Sequence, residues 1–122
     1  MPDRTPLAEQ HLRARLAVWQ GRLKLTDWRI YLRMVPATTL REGTLGNIRW
    51  DTPRKEATIR VLDPSEYSGA YDATLRDMEF TVVHELLHLV LSSLPRSEAS
   101  RTDEEHAVNS MTEALLELDR VH

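Results

Sequence analysis

The sequence contains no cysteine and few glycine or aromatic residues. The absence of cysteine excludes disulfide bonds, thiolate metal sites and thiol catalysis. Four glycines and six prolines argue against low-complexity or collagen-like sequence. The longest apolar stretch, at 80–94, is interrupted by histidine, glutamate and serine and is too short to span a bilayer. Any chemistry in this chain therefore has to come from histidine, carboxylate or hydroxyl groups.

The charge balance is slightly acidic, with 16 lysines and arginines against 19 aspartates and glutamates and a net charge of −3. A polyanion binds poorly to a surface of that average charge, so we expect no nucleic-acid partner, although a local basic patch remains compatible with this balance. The first residues lack the apolar segment of a secretory signal, which favours cytoplasmic localisation and no membrane partner. The length of 122 residues predicts one domain, spanning 1–122.

Hydrophobic periodicity predicts an α+β fold with the order helix, three strands, helix, helix. The predicted elements are helices at 6–23, at 73–93 and from Thr102 onwards, and strands at 28–35, 45–50 and 57–62. A turn-forming segment between the last two strands predicts a hairpin. The apolar stripe of the first helix is predicted to contain Leu7, Leu12, Leu16, Trp19 and Leu23, and that of the last helix Val108, Met111, Leu115 and Leu118.

The helix predicted at 73–93 carries the sequence His84-Glu85-Leu86-Leu87-His88. Residues at i and i+4 share a helix face, so the two imidazoles project together and can hold one Zn²⁺. Glu85 lies about 100° further round the helix, where it can act as general base on a metal-bound water. Burying these groups without partners would cost on the order of several kcal/mol, which a metal avoids. The competing interpretation is a solvent-facing polar stripe that ends at Ser92.

A third ligand is expected because catalytic zinc keeps three protein ligands and one open position. Glu105 and Asn109, at i and i+4 of the last helix, would combine a ligand carboxylate with an amide that orients a ligand histidine. Alternatively, Glu105 completes a capping box with Thr102. Glu104 lies nearer the centre of the predicted apolar stripe, and His106 would make an all-histidine site. The pattern favours Glu105 and leaves Glu104 and His106 open.

Residues 80–116 resemble the gluzincin metallopeptidases in their minimal forms, and are similar to small prophage-encoded proteins with the same segment at 82–88. The resemblance implies a zincin-like fold in which a small three-stranded mixed sheet backs the active-site helix and a C-terminal helix supplies the last ligand. It also implies that strand 57–62 lies nearest the cleft and pairs with an extended peptide. The implied site is Zn²⁺ with ligands His84, His88 and Glu105, general base Glu85, and Asn109 hydrogen-bonded to the first histidine.

The resulting hypothesis is a zinc-dependent metallopeptidase that hydrolyses a peptide or protein substrate. The alternative is a non-catalytic, zinc-containing module that binds a protein partner, in a phage-related context. Structural zinc sites are usually closed by four protein ligands, so a fourth ligand such as His106 would favour the alternative.

Overall fold

The computed structural model of the chain describes residues 4–95 and 98–121. The elements are helices α1 (Thr5–Arg22), α2 (Tyr71–Val90) and α3 (Glu98–Val121), and strands β1 (Arg29–Val35), β2 (Gly46–Asp51) and β3 (Glu56–Leu62). The predicted α+β fold, with helices packed on a small mixed sheet, is confirmed. Among the described residues, no helix has both the length and the apolar character needed to cross a membrane.

Strand β3 lies at the centre of the sheet, between β1 and β2. It runs parallel to β1, with Arg29 opposite Glu56, and antiparallel to β2, with Gly46 opposite Val61. The predicted hairpin is therefore confirmed. The expectation that strand 57–62 pairs with an extended peptide is wrong, because both of its edges are already hydrogen-bonded within the sheet. The free edges belong to β1 and β2.

Helix α2 is covered on nearly all sides because almost every face of it carries apolar side chains. It packs against α1, α3, β2 and β3. The approach of β2 is so close that a Cβ atom on Gly46 would lie 2.5 Å from Cγ2 of Thr81 and 2.6 Å from the carbonyl oxygen of Arg60. Glycine is therefore required at the start of β2, and this contact sets the distance between the strand and the helix.

The apolar stripes of the outer helices differ in part from those predicted. In α1 the buried position of the first turns is Ala8, whereas Leu7 is 62% exposed. In α3 the predicted Met111 and Leu118 are exposed, and the buried positions are Val108, Thr112 and Leu116. The reason is that α3 packs mainly against one neighbour, α2, so only a narrow i, i+4 ridge is covered.

A polar network ties the three helices together beside the core. The buried indole of Trp19 donates a hydrogen bond of 2.7 Å to Oε2 of Glu79, and Nε of Arg15 donates to the same oxygen at 3.0 Å. Arg15 and Arg22 each donate at 2.8 Å to the carboxylate of Asp119. Because these residues come from α1, α2 and α3, the network fixes how the helices lie against one another.

We expect Glu79→Ala to lower the free energy of unfolding by roughly 2–3 kcal/mol, because it leaves the indole of Trp19 and Nε of Arg15 without their acceptor. Urea denaturation measures the change. Glu9→Ala is the matched control, since it removes the partner of Arg13 in an exposed ion pair and should lower stability by less than about 1 kcal/mol. Equal losses in the two variants would contradict the structural role of Glu79.

Asp119 should make the stability of the fold depend on acid pH. Hydrogen bonds from Arg22 and Arg15 hold the pKa of its carboxyl below the ordinary value of 3.8. Its contribution is therefore present above about pH 4 and is lost as the pH falls through the lower, folded-state pKa. We expect the difference in unfolding free energy between the wild type and Asp119→Asn to shrink between about pH 6 and about pH 2.5. A difference that stays constant over this range would contradict the assignment.

Candidate metal centre

The side chains of His84, His88 and Glu105 converge where α2 meets α3. The two histidines project from one face of α2, as predicted, with side chains only 18% and 12% exposed. Glu85 is buried. These side chains do not form a solvent-facing stripe, so that competing interpretation is wrong. The ligand atoms of the two histidines and Glu105 all lie within 4.8 Å of one another, and this group could hold a metal ion.

Two of the three separations between these atoms are close to those of a tetrahedral metal site. The Nε2 atoms of His84 and His88 are 3.2 Å apart, and Nε2 of His84 is 3.3 Å from Oε2 of Glu105. Tetrahedral coordination at the usual zinc–ligand distances separates ligand atoms by about 3.3 Å. The remaining contact, 2.7 Å between Nε2 of His88 and Oε1 of Glu105, is shorter and matches a charged hydrogen bond. The donor set is thus two nitrogens and one carboxylate.

Helix α3 begins earlier than predicted, and this removes the alternative role of Glu105. It starts at Glu98, so Thr102 lies inside the helix and cannot cap it, and the capping-box interpretation of Glu105 is wrong. Its carboxylate is free to reach both histidines. His106 is exposed, and among the described residues the metal-binding group contains neither His106 nor Glu104.

Both histidines are also held by residues that lie outside the ligand group. Nδ1 of His88 is 3.0 Å from Oε2 of Glu104, so the ring lies between two successive carboxylates of α3. The side chain of Asn109 hydrogen-bonds to His84. Such contacts fix the orientation of an imidazole and raise its basicity toward a metal. The role of Glu104 was missed by the sequence analysis, which treated its inward helical angle as the sign of a rival ligand.

The electrostatics of the site follow from burial. Burial lowers the pKa of His84, the charge of Glu105 opposes this shift, and His88 reinforces it. Burial raises the pKa of Glu85 to about 7. Oε2 of Glu85 is buried without a hydrogen-bond partner among the described residues. A water molecule held by a metal ion in this group would supply the missing partner of this oxygen.

A cavity of about 420 Å³ opens beside these side chains. Its walls include Glu85, Glu105, Phe80 and the segment 43–46, which leads into β2. No local pattern in the sequence connects this segment with the site, because its proximity to α2 results from long-range packing. The cavity gives a ligand access to the metal-binding group and to Glu85 from the side of the β2 edge.

Comparisons with models of protein families, with curated proteins and with solved structures find no match to this chain. The assignment of the site therefore rests on the geometry of its residues.

Alanine substitutions should distinguish the three candidates for the third ligand on α3, which are Glu104, Glu105 and His106. We expect Glu105→Ala to abolish stoichiometric zinc binding, and Glu104→Ala to weaken it by about 10–100-fold, because the first removes a ligand and the second a partner of a ligand. His106→Ala is the control and should bind zinc as the wild type does. Competition with a fluorescent zinc chelator measures the affinities. Loss of binding in His106→Ala with retention in Glu105→Ala would contradict the assignment.

Proposed function

We propose that the chain is a zinc-dependent metallopeptidase. The observation that carries this function is the presence of three convergent ligand side chains together with a fourth, non-ligating carboxylate, Glu85, which is buried at the same cavity with one oxygen unpartnered. A group that only bound a metal would not need Glu85. Hydrolysis does need it, since a base must accept a proton from the attacking water.

Zinc fits the donors better than magnesium or calcium does. Magnesium and calcium prefer six or more oxygen ligands, whereas this group offers two imidazole nitrogens and one carboxylate. Two histidines and one glutamate are a ligand set of catalytic zinc sites, in which the fourth position stays open. Bound there, zinc would polarise a carbonyl group and lower the pKa of water to about 7.

The protein side chains would then act in a defined order. Glu85 accepts a proton from the water that attacks the scissile carbonyl, and it returns this proton to the amine that leaves. His84 and His88 are held in place by Asn109 and Glu104, so the ligand geometry is maintained during the reaction. Burial of Glu85 keeps bulk water away from the carboxylate that carries the proton.

The substrate class follows from the surroundings of the cavity. Segment 43–46 lines it and continues directly into β2, which has a free edge. A peptide in extended conformation can hydrogen-bond to such an edge with its main chain, and this would place a peptide carbonyl near the zinc group. In this proposal the peptide pairs with the edge of β2 and not with strand 57–62.

A closed, non-catalytic zinc module is less well supported. It would need a fourth protein ligand, and among the described residues the group contains three. His106, which was the candidate for that position, is exposed and lies outside the group.

We expect Glu85→Gln to retain zinc and to lose hydrolysis by a factor of about 10² or more, because the amide cannot accept the proton. The rate is measured with the zinc-loaded protein on a library of quenched-fluorescent peptides, and the zinc content by elemental analysis. Glu113→Gln is the matched control, since it removes the same charge from an exposed position of α3 outside the metal centre.

Two outcomes would contradict the proposal. If the zinc-loaded wild type cleaves no peptide of the library, the chain is not a general peptidase. If Glu85→Gln cleaves as fast as the wild type, Glu85 is not the general base.

A further inference from the structure

The face of the sheet that points away from α2 carries an unusual concentration of arginine. Alternation along the three strands brings eleven side chains to this side of the sheet. We call nine of them, all except the apolar Val35 and Leu62 at one end, the arginine face. It consists of Arg29, Tyr31, Arg33, Asn47, Arg49, Asp51, Glu56, Thr58 and Arg60. Four arginines against two carboxylates make this face cationic, although the chain as a whole has a net charge of −3.

The arginines of this face differ from those of α1 in their pairing. On α1, Arg13, Arg15 and Arg22 each form an ion pair with a carboxylate. Within residues 4–95 and 98–121, no ion pair joins any of the four arginines of the arginine face to a carboxylate. Their charge is therefore available to a partner outside the molecule.

The charge is also concentrated within the arginine face. The register places Arg33 directly opposite Arg60, which in turn lies opposite Asn47, so this row contains no carboxylate. Like charges directly opposite each other destabilise a sheet. The side-chain oxygen of Asn47 accepts a hydrogen bond from Nε of Arg60 and leaves its charge uncompensated. An anionic partner would relieve this repulsion.

An exposed aromatic ring lies among these charges. Tyr31 is 41% exposed and stands between Arg29 and Arg33 on the same face of β1. Across the sheet, Tyr31 lies opposite Thr58 of β3, which in turn lies opposite Arg49 of β2. An acidic polypeptide would use the arginines but has no need of the ring. A single-stranded nucleic acid uses both, because its phosphates pair with arginine and its bases stack on an aromatic side chain.

We propose that the arginine face binds single-stranded nucleic acid, with a base on Tyr31 and phosphates on Arg33, Arg49 and Arg60. The average charge of the chain predicts no such partner, whereas the distribution of that charge over the sheet favours one. Binding there is independent of the proposed peptidase activity, since the arginine face lies on the opposite side of the sheet from α2.

The test measures binding of fluorescein-labelled oligothymidylate and oligouridylate, about fifteen nucleotides long, by fluorescence anisotropy at about 50 mM and about 200 mM salt. We expect Tyr31→Ala to weaken binding about tenfold by removing the stacking surface. We expect the triple variant Arg33→Gln, Arg49→Gln, Arg60→Gln to bind more weakly still. Loss of three phosphate contacts should also reduce the slope of log affinity against log salt by about 2.

The matched control removes three arginines elsewhere, with Arg13→Gln, Arg76→Gln and Arg120→Gln. It changes the net charge equally and should keep wild-type affinity to within about threefold, because screening limits the effect of distant charges. Equal weakening in the two triple variants would overturn the proposal, as would absence of binding by the wild type. Polyglutamate that competes as well as the oligonucleotides would also overturn it, in favour of an acidic polypeptide.

A measurement on the wild type covers the case in which a variant fails to fold. Amide resonances are followed by NMR during titration with the same oligothymidylate. Shifts concentrated in β1, β2 and β3 would support binding at the arginine face, whereas shifts concentrated in α1 or α3 would overturn it.

Discussion

The burial of α2 is the constraint on which the rest of the structure depends. This helix carries apolar side chains on nearly all sides, and α1, α3, β2 and β3 pack around it. The same helix contains His84, Glu85 and His88 at positions that this packing removes from water. Polar groups in such a place need partners, because an unpaired one costs free energy. The two histidines find such partners on α3, whereas Oε2 of Glu85 has none among the described residues.

Helix α3 provides these partners through neighbouring side chains that contact different atoms of the histidines. Glu105 reaches the Nε2 atoms of both rings, while Glu104 contacts Nδ1 of His88 from the other side. One turn further on, Asn109 holds His84. Because all these groups are on two packed helices, their mutual distances are set by rigid elements, which is a condition for a site that keeps its geometry.

The sheet separates two surfaces of different chemistry. On the side of α2, close packing at Gly46 brings the start of β2 and the loop before it to the cavity beside Glu85. On the opposite side lies the arginine face, whose four arginines form no ion pair with a carboxylate in the described part of the chain. The alternation of side chains along β1, β2 and β3 is the cause, since it sends successive residues to opposite sides of the sheet. A short chain can therefore offer two surfaces through one small sheet.

Local patterns in the sequence were sufficient to predict the element order, the α+β fold, the β2–β3 hairpin and the projection of His84 and His88 from one helix face. Periodicity is a property of neighbouring residues, and so are the i, i+4 relations that place Glu105 and Asn109 together. The tertiary structure decided the strand order, which leaves β2 at an edge of the sheet. It also decided which side chains of α3 are buried.

It also decided which α3 carboxylate joins the two histidines. The rotation of α3 about its axis determines whether Glu104 or Glu105 reaches Nε2, and this rotation is set by the packing of Val108, Thr112 and Leu116 beneath it. Residues distant in sequence contribute to that packing, so the local pattern of α3 could not show which of three candidates is the third ligand. The sequence by itself determined which donors are available, and the packing of α3 on α2 decided which of them meet.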